Sequence, residues 1–144
     1  MNNDIEMIPY GAQIAQLEKM FRNMMKSICA KQGINYTYFK IIKPLARHKE
    51  GIIQKEIVEN ANIKPSTVSL TLRNMELEGY IQRELCESDN RKVIVKITAL
   101  GEALDRKIKS CFETAEAIMI QGIEQADLEA FSAILSKMKQ NLES

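Results

Sequence analysis

The amino-acid sequence predicts a mainly α-helical protein that carries one small β-hairpin. Three patterns indicate this fold class. Apolar residues recur at intervals of three and four near both ends of the chain, as they do in long amphipathic helices. Two shorter helical segments in the middle are separated only by Asn62-Ile63-Lys64. Two segments with strand composition, residues 80–86 and 92–97, then flank a charged turn.

The length and composition predict one soluble, cytoplasmic domain. The chain has 144 residues, of which 45% are hydrophobic and 27% are charged, as in ordinary globular proteins. It contains no apolar run long enough to cross a bilayer and no secretory signal pattern, so no membrane partner is expected. The net charge of +1 is low for a nucleic-acid-binding protein, so any such binding must depend on where the charges lie.

The first long helix is predicted over Tyr10–Lys31, after a loose arm at Met1–Pro9. Its apolar residues follow a near-heptad spacing, which indicates packing against other helices: Ile14, Leu17, Phe21, Met24 and Ile28. The spacing leaves open whether those helices belong to the same chain or to a second copy.

A second helix is predicted from Tyr36 to Arg47. Asn35 can cap its start, and Pro44 could kink or shorten it. An aromatic cluster opens the helix, and His48 follows its end. One histidine without neighbouring cysteine or carboxylate ligands does not indicate a metal site, so neither a metal nor a cofactor is expected.

The central helix, Pro65–Glu78, is predicted to have two unlike faces. Proline suits the first helical position, and Gly79 suits the stop. One face is an apolar stripe of Val68, Leu72 and Met75. The opposite face carries Ser66, Ser69, Leu70, Arg73 and Leu77, with Thr67 and Asn74 at its edge. Such a face could contact DNA, because arginine can donate to guanine and leucine can touch a thymine methyl group.

The segments around this helix complete a DNA-reading unit. Gln54–Ala61 reads as a short helix, and two short helices joined by a tight turn form a helix-turn-helix. Downstream, Glu87–Arg91 has turn chemistry and joins the two strands into a hairpin. Cations at the hairpin's tip and base could meet phosphates or a minor groove: Arg91, Lys92 and Arg83.

Two further helices are predicted after the hairpin. Thr98 can cap the first, Gly122 would interrupt it, and Asp127 could cap the last. Their apolar stripes contain Leu104, Ile108, Phe112, Ala115 and Met119, then Leu128, Phe131, Ile134, Leu135, Met138 and Leu142. Together with the first helix, these two are expected to form the interface of a symmetric dimer.

Four short motifs occur in order: Ser66-Thr-Val-Ser69, Met75-Glu-x-Glu-Gly-Tyr-Ile-x-Arg83, Asp89-x-Arg91 and Ile97-Thr-x-x-Gly101. In this order and spacing they resemble the MarR family of bacterial transcriptional regulators, and the resemblance spans roughly Tyr36–Gly101. The resemblance implies an obligate homodimer with a triangular helical body and two winged lobes on a palindromic operator. It also implies that Asp89 and Arg91 shape the wing and that Arg91 enters the minor groove. Many members carry arginine at the position of Leu70. Since this chain lacks that arginine, we expect Arg73 or Asn74 to contact the bases instead.

We therefore expect residues 35–101 to form a winged helix-turn-helix lobe, and residues 1–34 and 102–144 a helical dimerisation region. The expected function is that of a homodimeric regulator, most simply a repressor that a small molecule or another signal releases from double-stranded DNA. The expected DNA contacts are Lys64, Ser66, Thr67, Ser69, Leu70, Arg73, Asn74, Arg83, Ser88, Asp89, Asn90, Arg91 and Lys92. An apolar or aromatic effector is expected near Met20, Tyr36, Phe39 and His48.

The alternative is a helical protein-interaction module that does not bind DNA. Nothing favours an enzyme, since the sequence has no nucleotide-binding loop, no Ser-His-Asp order and no distinctive carboxylate pair. The three cysteines, Cys29, Cys86 and Cys111, lack metal-ligand spacing and are expected to be reduced thiols. The sequence leaves open whether any of them senses redox state.

Overall fold

The computed structural model describes residues 7–143, which form six α-helices, one 3-10 helix and one three-stranded antiparallel sheet. Residues 1–6, which make up most of the expected N-terminal arm, lie outside the described residues, as does Ser144. The elements in chain order are α1 (Tyr10–Lys31), the 3-10 helix (Tyr36–Tyr38), α2 (Phe39–Arg47), β1 (Ile52–Ile53), α3 (Gln54–Asn60), α4 (Pro65–Leu77), β2 (Ile81–Cys86), β3 (Asp89–Ile97), α5 (Ala99–Met119) and α6 (Gln125–Glu143).

The segment predicted as one helix from Tyr36 begins instead as the 3-10 helix and becomes α-helical at Phe39. Asn35 caps this start as expected, because its side chain accepts the backbone N–H of Thr37 at 3.0 Å. Pro44 does not end the helix, which continues to Arg47.

The sheet contains one strand that the sequence patterns did not indicate. Strand β1 is only two residues long and pairs with β3, with Ile52 opposite Val95 and Ile53 opposite Ile94. The strand order is β1-β3-β2, so the hairpin of β2 and β3 is anchored to the chain segment that leads into α3. Two residues cannot show a period-two alternation, and this strand exists because β3 offers it a hydrogen-bonding edge.

The hydrophobic core lies where α1, α2, α4 and α5 meet the sheet. Its largest fully buried side chains are Met25, Ile41, Ile42, Leu45, Leu72, Met75, Ile81, Val68 and Val95, with Cys29 and Cys111. The apolar stripe predicted for α4 is confirmed, since Val68, Leu72 and Met75 are all fully buried. Helix α6 contributes no buried residue to this core.

The boundaries of the last two helices differ in one respect from expectation. Thr98 caps α5, because its side chain accepts the N–H of Gly101 at 3.1 Å. Gly122 has a positive φ of 79° in the break before α6, as a residue without Cβ allows. The expectation that Asp127 caps α6 is wrong: the helix begins at Gln125, and Asp127 lies in its first turn. A carboxylate there still faces the positive end of the helix dipole.

Within residues 7–143, no helix combines the length and the apolar character needed to cross a membrane.

Gly101 lies where α5 leaves the sheet, and its substitution should be costly. A Cβ at this position would meet the carbonyl oxygen of Tyr80 and approach Ile97 Cγ1 to 2.7 Å. We expect Gly101→Ala to lower the free energy of unfolding by about 1–3 kcal/mol, because the backbone oxygen cannot move aside freely. Urea unfolding followed by circular dichroism at one protein concentration measures this. Gly11→Ala is the control, since nothing lies within 4 Å of that position, and equal stability of the two variants would contradict the expected crowding.

Candidate nucleic-acid interface

Helix α4 presents a continuous exposed surface opposite its buried stripe. Ser66, Thr67, Ser69, Arg73 and Asn74 are all exposed. Leu70 has 59% of its surface exposed in the middle of this polar group. Such an arrangement of hydroxyls, an amide, a guanidinium and an isolated leucine offers donors and one apolar contact to a partner that carries both phosphates and base edges.

The C-terminal end of α4 is held in place by three side-chain hydrogen bonds. Tyr38 donates its hydroxyl to Glu78 Oε1 at 2.6 Å. Thr98 donates to the carbonyl oxygen of Gly79 at 2.6 Å. The guanidinium of Arg83 donates to Glu76 Oε1 at 3.0 Å. These contacts connect the helix to the 3-10 helix, to the start of α5 and to β2, so its exposed face has a fixed orientation.

Arg83 therefore differs from the other cations that were expected to contact DNA. Its side chain is only 27% exposed, and its guanidinium is paired with Glu76. The hydrogen bond from Arg83 lowers the pKa of Glu76. Since the charge of Arg83 is compensated within the lobe, its evident role is to join α4 to the hairpin.

The hairpin tip has an irregular register that projects three residues. Leu85 pairs with Val93, but the next residue, Cys86, pairs with Asp89. Residues 90–92 on β3 therefore have no counterpart on β2, which bends the tip as a bulge does. The two-residue turn, Glu87–Ser88, is shorter than the predicted Glu87–Arg91, because β3 already begins at Asp89.

Asp89 organises this tip through Arg91. Its carboxylate accepts the backbone N–H of Arg91 at 3.0 Å and the side-chain Nε–H at 3.3 Å. The backbone hydrogen bond and then the guanidinium lower the pKa of Asp89. The side chain of Arg91 is nevertheless 92% exposed. Asp89 thus holds its backbone and Nε, while the end of the guanidinium stays accessible to a partner.

The winged lobe carries positive charge at α4 and at the tip of the hairpin. Lys64, Arg73 and Lys92 are exposed and form no salt bridge with any of residues 7–143. Glu84, in contrast, is held by Lys96 across the hairpin at 2.6 Å. That contact raises the pKa of Lys96. Despite an overall charge of +1, α4 and the wing tip therefore carry exposed cations that form no salt bridge with residues 7–143.

A cleft of about 530 Å³ lies between α2 and α5. Phe39, Ile108 and Phe112 supply its apolar wall, and charged side chains surround it. Lys43 Nζ lies 5.2 Å from the ring centroid of Phe39 and 5.7 Å from that of Phe112. At such distances the ammonium group interacts favourably with both rings. The cleft is large enough for a small aromatic molecule.

The four residues expected around an effector are not brought together. Phe39 lines the α2–α5 cleft, and Tyr36 stacks on it with ring centroids 5.8 Å apart. Met20 instead lines a groove between α1 and α6. His48 is exposed, with Nδ1 3.5 Å from Glu50 Oε1. The α5 side of the cleft was missed because its residues lie far away in sequence. Phe112, an aromatic residue on the stripe predicted for α5, was the available signal.

The groove between α1 and α6 is apolar and open. It has a volume of about 990 Å³ and is lined mainly by aliphatic, methionine and aromatic side chains. Leu17 and Phe131 remain 44% and 49% exposed in the single chain. Of the predicted stripe of α1, Phe21 and Ile28 pack against the core. The fully buried residues of α1, Met25 and Cys29, lie beside that stripe.

Comparison with known proteins shows which proteins the chain is similar to. The MarR family model matches residues 34–93 of the chain. Over this segment, which runs from just before the 3-10 helix into β3, the chain is similar to the MarR family. Its structure superposes on wild-type MarR of Escherichia coli in the apo form with a TM-score of 0.84, at 17% identity, covering 92% of this chain and 98% of that one. The six helices and the small sheet are therefore the MarR winged-helix fold.

Two further MarR-like structures contain a bound partner. A Staphylococcus aureus MepR mutant bound to an oligodeoxyribonucleotide matches with a TM-score of 0.64 and 22% identity, covering 94% of this chain and 99% of that one. CouR from Rhodococcus jostii bound to p-coumaroyl-CoA matches with a TM-score of 0.72 and 16% identity, covering 90% of this chain and 91% of that one.

The three cysteines occupy two environments. Cys29 and Cys111 are fully buried, and burial, followed by the neighbouring Cys111, raises the pKa of Cys29 to about 11. Cys86 lies at the wing, where the Ser88 hydroxyl at 3.1 Å lowers its pKa. Within residues 7–143, no three His, Cys, Asp or Glu side chains are grouped to hold a metal ion.

The Glu76–Arg83 pair should make the stability of the winged lobe depend on pH. Because the pKa of Glu76 in the folded chain lies below the ordinary value of 4.5, ionised Glu76 stabilises the fold above that pH. The contribution is lost as the pH falls through the lower, folded-state pKa. We expect the stability difference between the wild type and Glu76→Gln to be constant near neutrality and to shrink below about pH 4.5. Urea unfolding between pH 3.5 and 7 measures it, and a difference that is independent of pH would contradict the pair.

Proposed function

We propose that this protein is a homodimeric transcriptional regulator that binds a palindromic double-stranded DNA operator as a repressor and is released by a small molecule. The observation that carries the proposal is the exposed flank of α4, together with the exposed tip of the wing. In a helix-turn-helix protein such a flank enters the major groove. The function is exerted in the cytoplasm, where the DNA of a bacterium lies.

The proposed readout assigns base contacts to α4. Arg73 is exposed, unpaired within residues 7–143 and one turn from Leu70 and Ser69 on the same flank. Its guanidinium can donate two hydrogen bonds to guanine, while Leu70 can contact a thymine methyl group. Lys64, Ser66, Thr67 and Asn74 surround this pair and are proposed to contact phosphates or neighbouring bases. The MepR mutant bound to an oligodeoxyribonucleotide supports this use of the fold.

The wing is proposed to contact the adjacent minor groove. Asp89 fixes the backbone of Arg91, which leaves the guanidinium exposed at the projecting part of the hairpin. The narrow minor groove has a strongly negative potential that attracts arginine. Ser88, Asn90 and Lys92 flank Arg91 and are all exposed. Arg83 is proposed to act indirectly, by joining the hairpin to α4.

The dimer is proposed to form through the groove between α1 and α6. This groove exposes Ile14, Leu17, Phe131 and Ile134, each between 44% and 54% exposed. A contiguous apolar surface of this kind marks an interface, and a symmetric dimer can cover the groove of each copy with helices of the other. Two lobes held in this way would present two α4 helices about 34 Å apart, the length of one DNA turn.

The effector is proposed to bind in the α2–α5 cleft rather than around the four residues first expected. The rings of Phe39 and Phe112 provide an apolar wall for an aromatic group. Such a ligand would act by favouring a dimer in which the spacing of the two lobes does not match adjacent major grooves. The CouR structure with p-coumaroyl-CoA supports ligand binding by this fold.

A gel-shift experiment with the DNA upstream of the protein's own gene tests the proposal. Binding that is stronger than to unrelated DNA, and that weakens from 50 to 200 mM salt, supports an operator-binding regulator. Absence of binding at both salt concentrations and to duplexes selected from a random library would point to a helical interaction module instead.

Arg73→Ala should reduce discrimination between sequences. We expect a loss of about 1–3 kcal/mol in binding free energy for the selected duplex, because a bidentate contact to guanine is removed. Binding to unrelated duplexes should change much less. The control is Arg106→Ala, which removes an exposed arginine on α5. DNA footprinting on the selected and unrelated duplexes measures the difference, and footprints that Arg73→Ala leaves unchanged would exclude Arg73 as a base reader.

Arg91→Ala should weaken binding to selected and unrelated duplexes alike. If its guanidinium meets the backbone or the minor groove, the slope of log K against log salt concentration should fall by about one. Titrations at four salt concentrations with fluorescently labelled DNA measure the slope. A variant with the wild-type slope would contradict the contact.

Leu17→Asp should dissociate the dimer. The substitution places a carboxylate in the apolar groove, where burial without a partner is costly. Sedimentation velocity should show a monomer, or an unfolded chain if the monomer is unstable. Asn23→Asp introduces the same charge on an exposed part of α1 and should leave the dimer intact. A Leu17→Asp chain that still sediments as a dimer would refute this interface.

A further inference from the structure

The side chain of Tyr38 links the helical body to the end of α4. Tyr38 lies in the 3-10 helix that precedes α2, and its side chain is buried with 3% of its surface exposed. Its hydroxyl donates to Glu78 Oε1 at 2.6 Å, across 40 positions of the chain. Glu78 is the C-terminal cap residue of α4 and immediately follows its last turn. A hydrogen bond to a carboxylate is stronger than one between neutral groups, so this contact restrains the helix end.

The same 3-10 segment borders the α2–α5 cleft. Phe39, the residue after Tyr38, lines the cleft and stacks on Tyr36 with an angle of 10° between the rings. The other side of Tyr38 meets Tyr80 edge-to-face, with ring centroids 5.9 Å apart. A molecule that displaces the ring of Phe39 must therefore be accommodated by the turn that carries Tyr38.

The other contacts at the end of α4 do not reach the cleft. Arg83, which holds Glu76, belongs to β2, and Thr98, which holds Gly79, caps α5. Neither residue lines the cleft. The Tyr38 hydrogen bond thus differs from them, because its donor is adjacent in the chain to a cleft-lining residue and its acceptor ends the proposed recognition helix.

We propose that the hydrogen bond from Tyr38 to Glu78 transmits occupancy of the α2–α5 cleft to the position of α4. This inference rests on the proposed function, since it assumes that α4 contacts DNA and that the cleft takes a ligand. Tyr38 is a positioning residue in this scheme. It touches neither DNA nor effector, and it holds α4 in the DNA-binding orientation while the cleft is empty.

The hydroxyl of Tyr38 suits this role chemically. Burial and the adjacent Glu78 carboxylate raise the pKa of Tyr38, so the hydroxyl stays protonated as a donor throughout the physiological range. The link responds to displacement, because a hydrogen bond weakens steeply once its length and angle depart from the favoured values. A displacement of the hydroxyl by about an ångström would take the donor and acceptor beyond hydrogen-bonding distance.

The test combines a side-chain deletion with a substitution that fills the cleft. Tyr38→Phe removes only the hydroxyl and keeps the ring against Tyr80. Glu78→Ala removes the acceptor at an exposed position, so it can be studied even if the first variant is unstable. Tyr36→Phe is the matched control in the same 3-10 helix. Ala46→Leu, at a cleft-lining position, stands in for an occupant without requiring a known ligand.

The measurement is the Kd for a duplex that the wild-type chain selects from a random library. We expect Tyr38→Phe and Glu78→Ala each to raise the Kd by about fivefold to tenfold, and Tyr36→Phe by less than about twofold. We expect Ala46→Leu to raise the Kd at least about threefold in the wild type and in Tyr36→Phe, but to add nothing in Tyr38→Phe. A residue with a merely structural role would give additive effects.

Three results decide between the two levels of the proposal. If the wild type selects no duplex, the proposed function itself fails. If the wild type binds but Tyr38→Phe behaves like Tyr36→Phe, or if Ala46→Leu has the same effect in all backgrounds or none in the wild type, the link is overturned and DNA binding stands. Circular dichroism and sedimentation confirm that the variants compared are folded dimers.

Discussion

Burial of one stripe of α4 is the constraint on which the rest of the interface depends. Val68, Leu72 and Met75 are completely removed from solvent, so the rotation of the helix about its axis is fixed by the hydrophobic core. The flank that carries Arg73 and Leu70 then has no alternative to facing outwards. Side-chain hydrogen bonds to Glu76, to Glu78 and to the carbonyl oxygen of Gly79 fix the end of the helix as well. The proposed reader is therefore a rigid surface whose chemistry can be varied at exposed positions without cost to the core.

The last helix, α6, is not held by burial in the way that α4 is. Helix α6 is regular and amphipathic, yet none of its side chains is buried within the described chain. An isolated helix of this length is marginal in water and obtains most of its stability from tertiary packing. We propose that a second copy supplies this packing, which makes the dimer a condition for the helical body and not an addition to it. DNA readout and dimerisation are then coupled, because the same body sets the distance between the two lobes.

Local sequence signals predicted the regular parts of the fold well. Helix α1 has the predicted bounds, and α4 begins at Pro65 and ends beside Gly79, because proline and glycine act on the backbone of their own neighbourhood. Features that depend on distant pairing were not predicted. Strand β1 exists only through its pairing with β3. The salt bridge that makes Arg83 unavailable to DNA could not be predicted, because the sequence does not show that Glu76 lies beside it. The residues that line the α2–α5 cleft could not be predicted either, because they depend on how α5 packs on α2.

The central claim is that two exposed α4 flanks act together, one DNA turn apart. Its most direct test is the affinity of the dimer for a duplex with two selected half-sites, compared with duplexes in which the half-sites are moved apart by 5 or 10 base pairs. We expect binding to weaken by at least about tenfold with 5 added base pairs, because the second half-site then faces the opposite side of the helix. Binding of one dimer with equal affinity to all three duplexes, or to a single half-site as well as to two, would contradict the account.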